Sequence, residues 1–153
     1  MSLAIELSNL FRRDLTRLLH EIEAFPGSAE LWTVLPGVTN SAGNLALHLE
    51  GNLRDFIGRQ LGRIPYARQR EEEFRVPDSP PKDLVSRIAE VRDLIPQVVA
   101  ELSEADLQAT YPQEVFGAPI STQHFLVHLN GHLTYHLGQI NYLRRILTAG
   151  TTC

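Results

Sequence analysis

Leu3, Leu7, Leu10, Phe11, Leu15, Leu18 and Ile22 recur at intervals of three and four residues until Pro26-Gly27 interrupts them. That spacing predicts a first amphipathic helix. A second begins at a capping residue, Asn40 or Ser41, and carries Leu45, Leu49, Leu53, Phe56 and Leu61 roughly in phase to Gly62. The polar stretch of residues 63–78 reads as a linker. Ser79 is the expected cap of a third helix with proline in its first turn, a stripe of Leu84, Ile88, Val91, Ile95, Val98 and Leu102, and a bend at Pro96. A short acidic turn, SEADL, and an extended piece, YPQEVFGAPI, lead to Ser121. Ser121 caps a last helix predicted to run to about Leu147, before Ala149-Gly150.

Four amphipathic helices of about 20 to 27 residues, each roughly 30 to 40 Å long, predict an all-α four-helix bundle with long connecting loops. One domain spanning residues 1–153 is the expectation for a chain of this length. No repeat, low-complexity tract or strong strand pattern competes with that reading.

The last helix breaks its own apolar pattern. With His136 set at zero and about 100° per residue, Phe125, Leu129, Leu133, Ile140, Leu143 and Leu147 fall within roughly 60° of it, and His132 lies about 40° to one side. Two of the seven stripe positions are therefore histidine. His128 sits about 80° away, at the margin, and His124 about 120° away. On the second helix His48 lies about 60° from Leu45 and about 40° from Asn52, so it also looks inward. His20 falls about 100° from its stripe centre, on the solvent side.

Two imidazoles in adjacent buried turns need partners, since an unsatisfied buried polar group costs roughly 1 to 3 kcal/mol. A divalent metal supplies them: His132 and His136 stand one above the other at i and i+4, and His48 adds a third nitrogen from a neighbouring helix. Three imidazoles leave a coordination position open, the form of a catalytic metal site. Zinc, nickel, iron and manganese all fit three imidazoles with open positions, and zinc or nickel is the expected ion. Other metal templates fail, because His20-Glu21 lacks the second histidine of HExxH at Ala24, and no histidine has glutamate three residues before it. P-loop, GxGxxG and GxSxG patterns are absent.

Composition narrows the partners. The net charge is −4, from 14 basic and 18 acidic residues, with no basic cluster larger than a pair such as Arg12/Arg13 or Arg144/Arg145. That argues against a nucleic-acid surface. Glu6 interrupts any secretory signal, and no apolar run approaches the roughly 18 residues of a membrane span, so a soluble cytoplasmic protein with no membrane partner is expected. The single cysteine, Cys153, is the last residue and is not expected to act as a nucleophile.

HLTYHLGQI, residues 132–140, resembles the C-terminal signature of the DinB-like (DinB/YfiT) superfamily of metal-binding four-helix bundles, in which two histidines spaced by three precede a Gly-Gln pair. NSAGNLALHLEGN, residues 40–52, resembles the segment carrying the first metal histidine, in an uncharacterised branch that keeps NS-x-G-N and H-x-x-GN. The resemblance implies His48, His132 and His136 as ligands, the same three that helical phase selects. Leu137 departs from it, standing where many members have arginine before the Gly-Gln pair. Members of known activity, by the same resemblance, include transferases and isomerases in which the metal activates a low-molecular-weight thiol such as bacillithiol, mycothiol or glutathione. A cation does lower the pKa of a coordinated thiol.

Secondary candidates surround this set. Gln139 either orients a ligand or makes a packing hydrogen bond, His128 stands at the boundary or behind a ligand in preference to ligating, and Asn52 and Tyr111 are substrate-contact candidates for which a structural role is the favoured reading. Asp14, on the first helix's apolar stripe, is either a partner to a ligand histidine or an ion-paired structural residue. Trp32 either roofs the site or seals the core. From Val115 to Leu143 no residue carries a formal charge when the histidines are neutral, and Val127, Gly131, Tyr135, Gly138 and Tyr142 share one face of the last helix. A homodimer packed partly through that face is expected, the alternative being that the long loops fold over it.

Two functional classes remain at this level. One is a metal-dependent enzyme, a thiol transferase or a hydrolase using metal-activated water, acting on an unidentified small molecule. The other is a non-catalytic metal-binding or stress-associated bundle, with a bundle that has lost its metal as its extreme. A cavity beside the open coordination position separates them.

Overall fold

The structure is a computed structural model that describes residues 1–75, 77 and 79–149; Gly150, Cys153 and part of the 63–78 linker lie outside the described residues. Four long helices form the frame: α1 (Leu3–Glu23), α3 (Ala42–Leu53), α4 (Pro81–Ala100) and α6 (Thr122–Thr148), with two short ones between them, α2 (Ser28–Leu31) and α5 (Glu104–Gln108). Around the bundle α1 packs on α4, α4 on α3, α3 on α6 and α6 back on α1, so α1 stands across the core from α3. The four-helix bundle read from the apolar spacing is the architecture observed. Phe11, Leu15, Leu18, Ile22, Leu49, Leu53, Ile88, Ile95, Leu133 and Ile140 fill its centre.

Local chemistry sets the helix starts. Ser2, Ser41 and Ser121 each accept a backbone N–H three residues on, from Ile5, Asn44 and His124. Each satisfies an N–H that the first turn leaves without a partner. At the third predicted helix the cap falls one residue later than expected, on Pro80, with Pro81 in the first turn. Ser79 instead gives its carbonyl to the Ser28 hydroxyl and to Trp32 Nε1 at 2.9 Å. Helix α4 continues through Pro96 to Ala100. The acidic turn is a true helix, α5, closed by a reciprocal Ser103/Asp106 capping box.

Two departures from the sequence pattern position the site. The second predicted helix, expected to be continuous to Gly62 and amphipathic, is buried at all twelve residues of α3 and then widens into a π-helix at Arg54–Arg59. Burial on every side follows because α4, α6 and a 3-10 turn at Arg70–Phe74, inside the predicted linker, all pack on it. Asn44 holds that turn, its Nδ2 donating to the carbonyls of Glu73 at 3.1 Å and Arg75 at 2.7 Å. Gly43 is required as well, because a Cβ there would lie 2.3 Å from the Trp32 ring. Trp32 thus seals the core.

Candidate metal centre

On α6 the buried residues are Thr122, Phe125, Leu126, Leu129, Leu133, Leu137, Ile140 and Leu143. Their centre lies about 40° from His136 and about 80° from His132, so the two histidines are half-buried at the edge of the stripe and not in its middle. The difference arises because α6 serves two neighbours. Thr134 and Asn141 reach Asp14 and Glu21 of α1, drawing Leu126 and Leu137 inward. The histidine edge is left facing α3.

There the three sequence-selected histidines meet. The ligand nitrogens of His48, His132 and His136 all lie within 4.8 Å of one another. His48 Nε2 and His132 Nε2 are 3.2 Å apart, and the His132 and His136 rings stand edge to face at 4.6 Å. Two imidazole nitrogens bound at about 2.0–2.1 Å to one tetrahedral ion would lie about 3.4 Å apart. The donor set has the spacing such an ion needs.

Each outer ring is oriented from behind. His48 Nδ1 lies 3.1 Å from Glu73 Oε1 and 3.4 Å from Arg68 Nη2; the carboxylate, the nearer of the two, only accepts, which places the proton on Nδ1 and points the Nε2 lone pair inward. Glu73 is itself clamped by Arg68, Nε to Oε2 and Nη2 to Oε1, both at 2.8 Å. Burial would raise the Glu73 carboxyl, but the hydrogen bonds from Arg68 and His48 and the Arg68 charge hold it below the usual carboxylate range. Gly51 makes room for this arrangement: a Cβ there would fall 2.1 Å from Glu73 Oε2. On the other side, His136 Nδ1 donates to Gln139 Oε1 at 2.6 Å, leaving its Nε2 unprotonated.

His132 has no such support. Its Nδ1 is buried with no hydrogen-bond partner among the described residues. Burial first, then the neighbouring His136, His48 and His128 and the Arg68 charge, push its pKa down to about 4, so it is neutral near pH 7. Burial likewise lowers His136, against the Gln139 bond. With the Nε2 lone pair of His48 facing it, any tautomer of His132 leaves either a lone pair or a buried N–H unmatched. A cation held between the two facing Nε2 atoms uses both lone pairs and removes their clash, leaving only the His132 Nδ1–H unmatched, so the residues fit a divalent metal.

The remaining candidates separate cleanly. Asn52, one turn beyond His48, is 7% exposed with its Oδ1 unpartnered, and it lines a pocket of about 430 Å³ with His48, His132, Phe56, Phe125 and Arg68. His128 is exposed on the same pocket, its ring stacked on Phe125. Asp14 is away from the cluster, bonded to Arg13, Arg17 and Thr134. Tyr111 is structural: its buried hydroxyl donates to the Phe56 carbonyl at 2.7 Å. His20 and His124 are exposed. Sequence reasoning missed Glu73 and Arg68, since nothing distinguishes Glu73 from Glu71 and Glu72 in a polar run.

The DinB superfamily model matches residues 10–140, and the chain belongs to that superfamily. Among solved structures it is similar to a DinB-like protein from Bacillus cereus, at 20% identity with a TM-score of 0.66 over 87% of this chain and 85% of that one. It is also similar to a conserved protein from Enterococcus faecalis, at 17% identity with a TM-score of 0.68 over 97% of this chain and 99% of that one. These likenesses concern the fold. No curated protein matches the chain.

Proposed function

We propose that the protein is a metal-dependent enzyme, with His48, His132 and His136 holding one divalent transition ion, zinc or nickel, beside a small-molecule pocket. The observation that carries this reading is the pocket itself. A metal that only braced the fold would need no cavity, whereas here about 430 Å³ opens beside His48 and His132, and Oδ1 of the buried Asn52 on its wall has no partner among the described residues. Bound there, the ion would supply Lewis acidity, lowering the pKa of a coordinated thiol or water to make a nucleophile at neutral pH.

The chain's own residues do the rest. Glu73 and Gln139 fix two imidazole tautomers before the ion arrives, which removes reorganisation from binding. Asn52 offers an amide to a polar group of the substrate. Phe56, Phe116 and Phe125 shield its apolar body from water, and Arg70, Gln113 and Glu114 stand with them around the pocket. Of the two chemistries, transfer of a low-molecular-weight thiol to an electrophile is favoured by family membership, and hydrolysis is the second.

The test is elemental analysis of untagged protein beside His48→Ala, followed by turnover of a chromogenic electrophile with each of several thiols. About one equivalent of metal, lost in the variant, with thiol-dependent turnover that follows metal content, is the expected result. Metal without turnover of any thiol or ester substrate would move the protein to the non-catalytic metal-binding class. No metal after incubation with zinc or nickel would end the proposal.

A further inference from the structure

The outer face of α6 carries a second pattern that the metal centre does not use. Val127, Gly131, Tyr135, Gly138, Tyr142 and Ile146 follow one another at intervals of four, four, three, four and four residues. They fall within about 100° of helix circumference. Val127 is 55% exposed, Tyr135 66%, Tyr142 67% and Ile146 59%. Glycine inside a helix costs about 1 kcal/mol relative to alanine, yet a Cβ at Gly131 or Gly138 would meet no atom within 4 Å. Nothing among the described residues requires either glycine.

The pattern is its own complement. Pairing two copies of α6 antiparallel about a point between His136 and Leu137 sets Val127 level with the partner's Ile146, Gly131 with the partner's Tyr142, and Tyr135 with the partner's Gly138. Each bulky ring then meets a gap, and aliphatic meets aliphatic, as the two-fold interface of a homodimer demands. From Val115 to Leu143 the face brings no formal charge, so two copies meet without like-charge repulsion.

The exposed apolar side chains supply about half of the usual area, as the centre of an interface and not the whole of it. The four exposed apolar side chains offer on the order of 400 Å², against roughly 800 Å² per partner in a specific interface. A groove of about 690 Å³ beside them, walled by Val38, Leu45, Tyr135, Gly138, Tyr142 and Ile146, adds further surface. The same groove reaches His136 and Gln139.

We infer that a second copy of this chain docks antiparallel on α6, and that its helix forms the outer wall of the groove on whose inner side His136 and Gln139 stand. The dimer completes a cavity on the His136 flank of the histidine cluster. It does not depend on a metal being bound.

The test is the mass of the full chain in solution at micromolar concentration by light scattering. Twice 17.2 kDa is expected for the native protein. Gly131→Leu with Gly138→Leu, placed in open space and raising helix propensity, is expected to return a folded species of 17.2 kDa, and Tyr142→Glu to do the same through charge. A monomeric native protein would overturn the inference, as would a dimer indifferent to both changes. Register is tested separately: Val127→Cys with Ile146→Cys, in a Cys153→Ser background, is expected to cross-link two chains under oxidation. Absence of that cross-link in a dimeric protein would overturn the antiparallel pairing.

Discussion

Two buried carboxylates sit against arginines in this bundle, and their surroundings differ in one respect. Asp14, fully buried on α1, receives Arg13 and Arg17 on Oδ1 and Arg13 and Thr134 on Oδ2. Every oxygen is answered, and the one buried atom nearby without a partner among the described residues, Asn130 Nδ2, belongs to a side chain that makes no bond to this network. Glu73 is answered just as fully by Arg68 and His48, but its network runs on into His132, whose Nδ1 has no partner, and past Asn52, whose Oδ1 has none. A closed polar network rigidifies a fold, whereas one that stops at unmatched donors and acceptors is completed by something from outside.

The largest expected effect breaks the comparison from both ends. Asp14→Ala removes four hydrogen bonds and is expected to cost about 2 to 3 kcal/mol in urea unfolding, with metal content unchanged. His132→Leu is expected to do the reverse: the metal-free protein holds or gains about 1 kcal/mol, because an unmatched buried nitrogen is removed, while bound metal is lost. If Asp14→Ala lowered metal content in a folded protein, the two networks would not be separate.

Next in size is the support behind His48. Glu73→Gln keeps the side chain's shape and removes the charge that fixes the His48 tautomer, and a ten- to hundredfold loss of metal affinity is expected by competition with a chelating dye. Gly51→Ala should weaken affinity in the same direction without touching a ligand or its charge, since its methyl group displaces Glu73. Unchanged affinity in both would show that Glu73 serves the fold alone.

How much of this was legible in the chain follows from the same contrast. The four helices could be read because their apolar residues repeat at the helical period, and the histidines stood out because they interrupt that period. The resemblance to NS-x-G-N and H-x-x-GN named residues but not their tasks. The structure supplies those: Gly43 admits Trp32, Asn44 pins the 3-10 turn, Gly51 admits Glu73, and Asn52 faces the pocket. Glu73 and Arg68 were illegible because their role depends on a loop returning to α3, and no local period encodes that return. The burial of α3 on all sides escaped for the same reason, since the cover comes from that loop. The centre of the α6 stripe was misplaced because Leu126 and Leu137 serve a second interface, with α1.

A smaller effect sharpens the open side. Asn52→Leu replaces an amide with an unpartnered oxygen by an apolar side chain of similar size, so the metal-free protein is expected to gain about 0.5 to 1 kcal/mol. Metal content should stay the same, and turnover of any accepted substrate should fall. This opposition between stability and activity is the signature of a group held in readiness for a ligand. A loss of stability would instead mean that Asn52 has a partner inside the protein.

The last prediction is one of pH, and it separates the networks by window. His132 is held neutral in the folded protein down to about pH 4, against an ordinary value of 6.5. Between those values the unfolded chain binds a proton that the folded chain refuses, so this group's contribution to the stability of metal-free protein declines as pH drops from 6.5 toward 4. Asp14 has the opposite sign of cause. Burial would raise its carboxyl, but hydrogen bonds from Arg13 and Thr134 and the charges of Arg13 and Arg17 hold it below 3.8. Its contribution is therefore present above pH 3.8 and lost as pH falls through the lower folded value. Melting temperatures of the metal-free protein across these ranges should show His132→Leu flattening only the upper decline and Asp14→Ala removing only the lower one. Parallel curves for native protein and His132→Leu between pH 6.5 and 4 would mean that His132 accepts its proton as readily folded as unfolded. The burial that makes it an available ligand would then be absent in solution.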